Sequence, residues 1–346
     1  MAQFESRAVR AALATPFVVL AGVCLSSMDT NKLIAQQQPF LHAGAIDFED
    51  GSIPIFENFY WLSFLDEMWR GITVTFSNSY LPLDTIGWWQ LFCFLHDLGP
   101  MYSVWLLESC RAGNVGTPVY AVTLFTFIAQ LLGVGNVAPI YYFLHVTFAP
   151  SAASLKRSAK QGIRAEQASF LLPLFLALHT FEVIRAFIAP EPETRQYWVW
   201  AWQMSPLWLG VANSLLCSMA ARLVKNNIIA SPRSLLVCMC TISSAIWVYT
   251  WYSAPFSLSD IFIPDAGVHT DFIRHTRKAM QCDEVYSFGS SFLWLLYMFF
   301  DMYSAGLIGI GSLAASACLP LVVVVTGPGS AFALGWYWRE QVLSSH

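Results

Sequence analysis

The sequence predicts an all-α, polytopic integral membrane bundle of about eight transmembrane helices, seven at the fewest. Three observations carry that expectation. Of the 346 residues, 56% are hydrophobic and only 12% charged, where an ordinary soluble domain carries roughly 25% charged residues. Mean hydropathy is +0.52. Apolar runs also recur at the ~20-residue length that crosses a hydrocarbon layer.

Taken in order, those runs fall at residues 8–27, 87–108, 117–149, 167–189, 197–221, 234–253, 285–304 and 306–326. The first follows Arg7 and Arg10 in the manner of a signal peptide, but with seven runs downstream it reads as a first membrane helix. The third is too long for one crossing: as a straight helix it would measure ~50 Å against a hydrocarbon layer of ~30 Å. "GVGNVAP" at 133–139 is expected to break or kink it, since Pro139 lacks a backbone donor and the glycines tolerate a bend. The whole of 1–346 reads as a single transmembrane domain. Residues 28–86, the one extended polar region, read as an extramembrane or partly re-entrant cap within it. Lys156, Arg157, Lys160 and Arg164, with Arg222, Lys225 and Arg233, put the loops 151–165 and 222–233 on one side, the cytosolic one.

Composition also excludes. The net charge is −4 and the 18 Lys and Arg are scattered, so no nucleic-acid face is expected. Eight cysteines without CxxC pairs suggest neither a disulfide framework nor a zinc site. There is no Asp-rich diphosphate and magnesium motif: "DFED" at 47–50 lacks the spacing that puts two carboxylates on one helix face, and no DxDD, GxSxG or histidine cluster occurs. No cofactor and no metal are expected.

What remains is a set of acids inside apolar runs. A carboxylate at the bilayer centre costs ~2.5–3.5 kcal/mol on insertion scales, which makes an intramembrane acid a functional candidate. Asp97, in "QLFCFLHDLGP", sits near the middle of its run, and Glu108 lies on nearly the same helix face closer to the interface. His96 points elsewhere and reads as packing, while Pro100 frees the carbonyl of His96. Asp301, in "LWLLYMFFDMYSAGL", reads equally as an acid site and as an interface residue. Asp66, in "FLDEMWRG", shares a helix face with Arg70, so a salt bridge is its bland reading, and Glu182 has His179 and Arg185 within reach along its helix. Tyr141 and His145, four apart, form a polar wall or simply pack. With 26 Phe, 14 Trp and 13 Tyr, a cavity walled by aromatic faces could shelter a cation. Tyr102, Trp105, Tyr141 and His145 are the candidate substrate-binding residues.

"FLDEMWRGITVTF", "QLFCFLHDLGP", "WLLESCRAGN", "GVGNVAPIYYFLH" and "GPGSAFALGWYWREQVL" together resemble, in order and over most of the chain, a group of fungal multispan membrane proteins. These are the transmembrane terpene cyclases of meroterpenoid pathways, of the ascofuranone, ascochlorin and macrophorin type. The resemblance implies acid-initiated, metal-independent cyclisation of a lipophilic, prenylated, epoxyfarnesyl-like aromatic in the endoplasmic reticulum membrane, with membrane lipids as the other partner. It points to Asp66, Asp97, Glu108 and Asp301 as catalytic acids, Asp97 first. The chain departs from the expected pattern at His96 and at Phe300, so protonation of an epoxide and of an alkene both stay open. A different class fits the same residues: a carrier or sensor of small lipids that uses the acids for proton coupling or helix association.

Overall fold

The computed structural model of the protein describes residues 6–48, 51–157, 162–223 and 229–345; Glu49 and Asp50 of the "DFED" run, and the loop lysines Lys160 and Lys225, lie outside them. The described chain is mostly helical with little strand. Helices α1 (Arg7–Leu13), α2 (Thr15–Met28) and α3 (Thr30–Ala43) follow one another with only single residues between them, and Pro16 enters at the start of α2. The polar region continues as an antiparallel hairpin, β1 (Ala45–Phe48) with β2 (Gly51–Pro54), and then α4 (Ser63–Tyr80).

Next come α5 (Thr85–Ser109), α6 (Val122–Leu132), α7 (Val134–Phe148) and the short α8 (Ala152–Arg157). Pro100 lies within α5 and leaves it a single helix. The long third run does break, at Gly133, which takes φ +86° between α6 and α7; Pro139 sits inside α7. The glycine rather than the proline makes the break, because a positive φ is open to glycine and not to its neighbours. After it follow α9 (Leu171–Phe175), a π-turn at Leu176–Thr180, and α10 (Phe181–Ile188). Helices α11 (Pro192–Gln203) and α12 (Ser205–Leu223) meet at a 52° bend.

Helix α13 (Pro232–Ser253) opens with Pro232 and a cap in which the Ser231 hydroxyl accepts from Ser234 N. The chain ends in α14 (Leu258–Phe262), α15 (Phe272–Ser304), α16 (Ile310–Ala317), α17 (Leu319–Thr326) and α18 (Pro328–Ser344). Two differences from the expected runs matter. Helix α15 starts at Phe272 rather than at residue 285, and the C-terminal segment beyond 326 forms α18, which packs on α5.

By length and composition, three described stretches could cross a membrane: Arg7–Ala43, Ala165–Ile188 and Pro232–Ser253. The bent pair Pro192–Gln203 and Ser205–Arg222 would make a fourth. Eight were expected. Helices α5 and α15 fall short of that test because they carry acids and amides, which they turn inward: Gln90, Asp97, Glu108, Gln281, Asp283 and Glu284 are all buried. These two helices, with α7 and α18, form the centre, and α2 and α13 pack against it. At one end Ala230 N donates to Ser169 O at 3.2 Å and Ala112 N to Gly162 O at 3.2 Å, so the stretches around 162–169 and 229–230 share that end of the bundle.

Candidate functional site

Four of the eight residues expected to form the site gather around a fifth at the end of α5. Glu108, 1% exposed, receives Arg111 Nε at 2.9 Å, Arg339 Nη1 at 2.8 Å, Trp336 Nε1 at 2.8 Å and Asn114 Nδ2 at 3.1 Å. Both arginines also reach Glu340, at 2.7 and 2.8 Å. His145 Nε2 lies 3.6 Å from Glu108. Beyond it Tyr141 stacks on Trp105, ring centroids 4.3 Å apart, and Tyr102 lies against Trp105 at 5.7 Å. All of these rings are sealed, and Trp105 Nε1 donates to the Tyr142 hydroxyl at 2.9 Å. The arrangement is a packed aromatic block topped by a charge network in which two cations balance two carboxylates.

Asp97, fully buried, joins three helices. Its Oδ1 accepts from the Ser243 hydroxyl of α13 at 2.5 Å and from Gly329 N of α18 at 3.2 Å, and Cys93 Sγ lies 3.7 Å from Oδ2. A side chain at Gly329 would collide with the Asp97 carbonyl oxygen. The close approach of α18 to α5 therefore needs glycine there, and the carboxylate clamps that approach.

Asp66 accepts through Oδ1 from Phe59 N at 3.0 Å and Tyr60 N at 2.8 Å. It ties the preceding loop to the start of α4 with backbone donors rather than with Arg70. His179, expected near Glu182, instead accepts at Nδ1 from Trp202 Nε1 at 3.1 Å. Asp301 accepts from Ala152 N at 2.6 Å and lines a groove of about 580 Å³ whose wall also holds Arg10 and otherwise apolar side chains. Arg10 and Asp301 set opposite charges in the same wall.

The acid that faces a cavity lined in part by aromatic rings is absent from the expected site. Asp283, 5% exposed, lines a space of about 280 Å³ together with Phe76, Phe94, Trp202, Leu98 and Met280. The break between α6 and α7 holds it: Gly135 N, at the start of α7, donates to Asp283 Oδ1 at 2.5 Å. A Cβ on Gly133 would lie 2.7 Å from that oxygen, and one on Gly135 2.6 Å from the Asp283 carbonyl. The "GVG" run is thus shaped to bring a helix N-terminus against a carboxylate. Its neighbour Glu284 turns to α5, where Gln90 Nε2 donates to it at 2.8 Å. The signal was present in "QCDEVYS", two residues ahead of the apolar run at 285, where a boundary drawn by hydropathy placed both acids in a loop.

The CtvD domain family matches residues 72–344, which takes in every helix from within α4 to α18. The chain belongs to this family. Curated relatives that carry the similarity are fungal. One is the FAD-dependent monooxygenase verC1 of Penicillium polonicum, 27% identical over 99% of the chain and 44% of the relative. Another is the FAD-dependent monooxygenase anuJ of Penicillium roqueforti, 27% identical over 85% of the chain and 36% of the relative. The terpene cyclase ascI of Acremonium egyptiacum is 26% identical over 78% of the chain and 76% of its own length. The chain thus spans less than half the length of the two monooxygenases. No solved structure matches it.

The monooxygenase names raise the question of a flavin. Residues 133–138, Gly-Val-Gly-Asn-Val-Ala, have the spacing of a dinucleotide-binding turn. That turn needs a strand before it and open space above its glycines for a pyrophosphate. In this CtvD domain a helix, α6, precedes the run, and α15 fills the space with Asp283. The run does not fit a flavin.

Proposed function

We propose that the protein is a membrane-bound terpene cyclase that protonates the terminal epoxide or alkene of a prenylated aromatic precursor and guides the resulting carbocation in the cavity beside Asp283. The observation that carries the reading is the pairing of one carboxyl group with a wall that includes Phe76, Phe94 and Trp202 among mostly aliphatic side chains and a few amides and hydroxyls, in a chain similar to a terpene cyclase over 76% of that relative's length. The donor role expected for Asp97 passes in this reading to Asp283, because Asp97 is fully buried in a helix junction and does not line the cavity. Eight crossings, with 28–86 as a cap, remain the proposed membrane arrangement, placed in the endoplasmic reticulum.

The proposed chemistry uses this geometry. Asp283 gives its proton to the epoxide oxygen, or to the alkene; the C–O bond opens, or the π bond takes the proton, and a tertiary cation forms. Neighbouring double bonds attack in turn while ring faces stabilise the moving charge. The Gly135 N–H at Oδ1 receives the negative charge left on the acid. Loss of a proton from the final cation to that carboxylate ends the cascade, as does attack of a substrate hydroxyl on the cation with the hydroxyl proton passing to the carboxylate; either route restores the acid.

The test is product analysis after expression with an epoxyfarnesyl phenol. A cyclised isomer formed by the parent and absent with Asp283→Asn is expected. An unchanged skeleton in a membrane that accumulates the compound would replace the cyclase with a lipid carrier, for which the 580 Å³ groove beside Asp301 and Arg10 would be the binding place.

A further inference from the structure

Six glutamines are buried: Gln37, Gln90, Gln130, Gln196, Gln203 and Gln281. Five of them spend their amide nitrogen on a protein acceptor: Thr75 Oγ1, Met280 O and Glu284, Pro54 O, Thr73 Oγ1, and the carbonyls of Asp260 and Ile261, respectively. Gln130 differs. It is 8% exposed, its Nε2 has no hydrogen-bond partner among the described residues, and it lines the same cavity as Asp283.

Its position is specific. Gln130 stands on the last turn of α6, three residues before Gly133, and a Cβ at Gly133 would lie 2.7 Å from Asp283 Oδ1. The free amide and the carboxyl thus share one stretch of wall around the helix break. The Thr30 hydroxyl, also without a partner, lines the same space. An amide donor left unpaired in a buried site has given up its hydrogen bond to water, which a guest offering an acceptor oxygen replaces and a hydrocarbon guest does not.

We infer that Gln130 is the specificity-determining residue of this cavity, donating its amide hydrogen to an ether, epoxide or carbonyl oxygen on the guest beside Asp283. This rests on the cavity assigned above as the site of cyclisation. Gln130 acts by selecting and orienting an oxygenated guest; the proton comes from Asp283.

The test is binding to the full-length protein in detergent, read before any turnover, using farnesyl phenol with a terminal epoxide and the same compound with its terminal alkene. The parent should bind the epoxide about tenfold more tightly. Gln130→Leu and Gln130→Met should each bring the two probes to parity, chiefly by weakening the epoxide, while Asp283→Asn keeps the preference. Equal binding by the parent overturns the inference, as does a preference undiminished in either glutamine variant. Should neither variant accumulate as monodisperse protein, equal binding of the two probes by the parent still overturns the inference. A preference without any change of carbon skeleton would sustain the role of Gln130 and remove the cyclase reading; cyclisation without preference would do the reverse.

Discussion

Glu108 and Asp283 are both buried carboxylates in central helices, and they live in opposite circumstances. Glu108 is saturated: two arginines, an indole and an amide converge on it from α18 and the turn after α5. Asp283 is held by the backbone of the α6–α7 break and faces a cavity. Burial is common to both, so burial alone does not mark a reactive acid. Of the two, Asp283 has empty space beside it, where a guest could stand.

The comparison breaks first at the chemistry. Asp283→Asn keeps the size and the acceptor for Gly135 N–H but has no acidic proton. Turnover in microsomes should fall by roughly 10²–10⁴, the usual worth of general acid catalysis, while the protein still accumulates. Near-normal turnover would remove Asp283 from the mechanism. Glu108→Gln should act on folding instead. It leaves Arg111 and Arg339 short of a buried counter-charge, a loss of about 3–5 kcal/mol, read as less folded protein after extraction and a lower melting temperature. A Glu108→Gln protein that melts like the parent would show that the network is dispensable.

Asp97 sharpens the contrast, since it is buried like Glu108 but uncharged at its contacts. Asp97→Asn and Ser243→Ala should each cost about 1–3 kcal/mol of stability by loosening the α5, α13 and α18 junction. Product formed per folded molecule should stay within a factor of a few of the parent. A hundredfold loss in Asp97→Asn alone, at normal accumulation, would return the donor role to Asp97. The smallest effect belongs to the exposed loop before α15. Slight burial raises the Asp265 carboxyl, but the Gly267 N–H at 2.6 Å, His269 at 2.6 Å and Lys278 outweigh it and hold the group below its ordinary value. A depressed acid stabilises above its unfolded pKa and loses that contribution as pH falls through the folded one. Residues 263–271 should therefore lose protection, relative to the intrinsic exchange rate at each pH, only below about pH 4.

Much of this was legible in the sequence, for identifiable reasons. Helix α5, the interruption of the third run and the shared helix face of Tyr141 and His145 follow from local periodicity; that this face packs on Trp105 depends on a second helix and does not. What could not be read is what depends on another helix. Asp97 reads as an acid in an apolar run until Gly329, more than two hundred positions later, is seen beside it. Asp283 reads as a loop residue because hydropathy ends a span at the first charge, whereas a helix buried among other helices continues through it. Asp66 reads as paired with Arg70 because i,i+4 spacing is visible in a sequence and a loop folding back onto its own helix is not.

The length of α15 has a consequence of depth. Its 33 residues measure ~50 Å along the axis, about 20 Å more than the hydrocarbon layer. If the apolar stretch from 285 to 304 fills that layer, Asp283 stands at its rim, where acyl chains give way to headgroups. A guest could then leave its hydroxylated ring among the headgroups and lower only its tail into the protein. Water would be near enough to exchange the acid's proton between turnovers, yet kept from the cation by the tail itself.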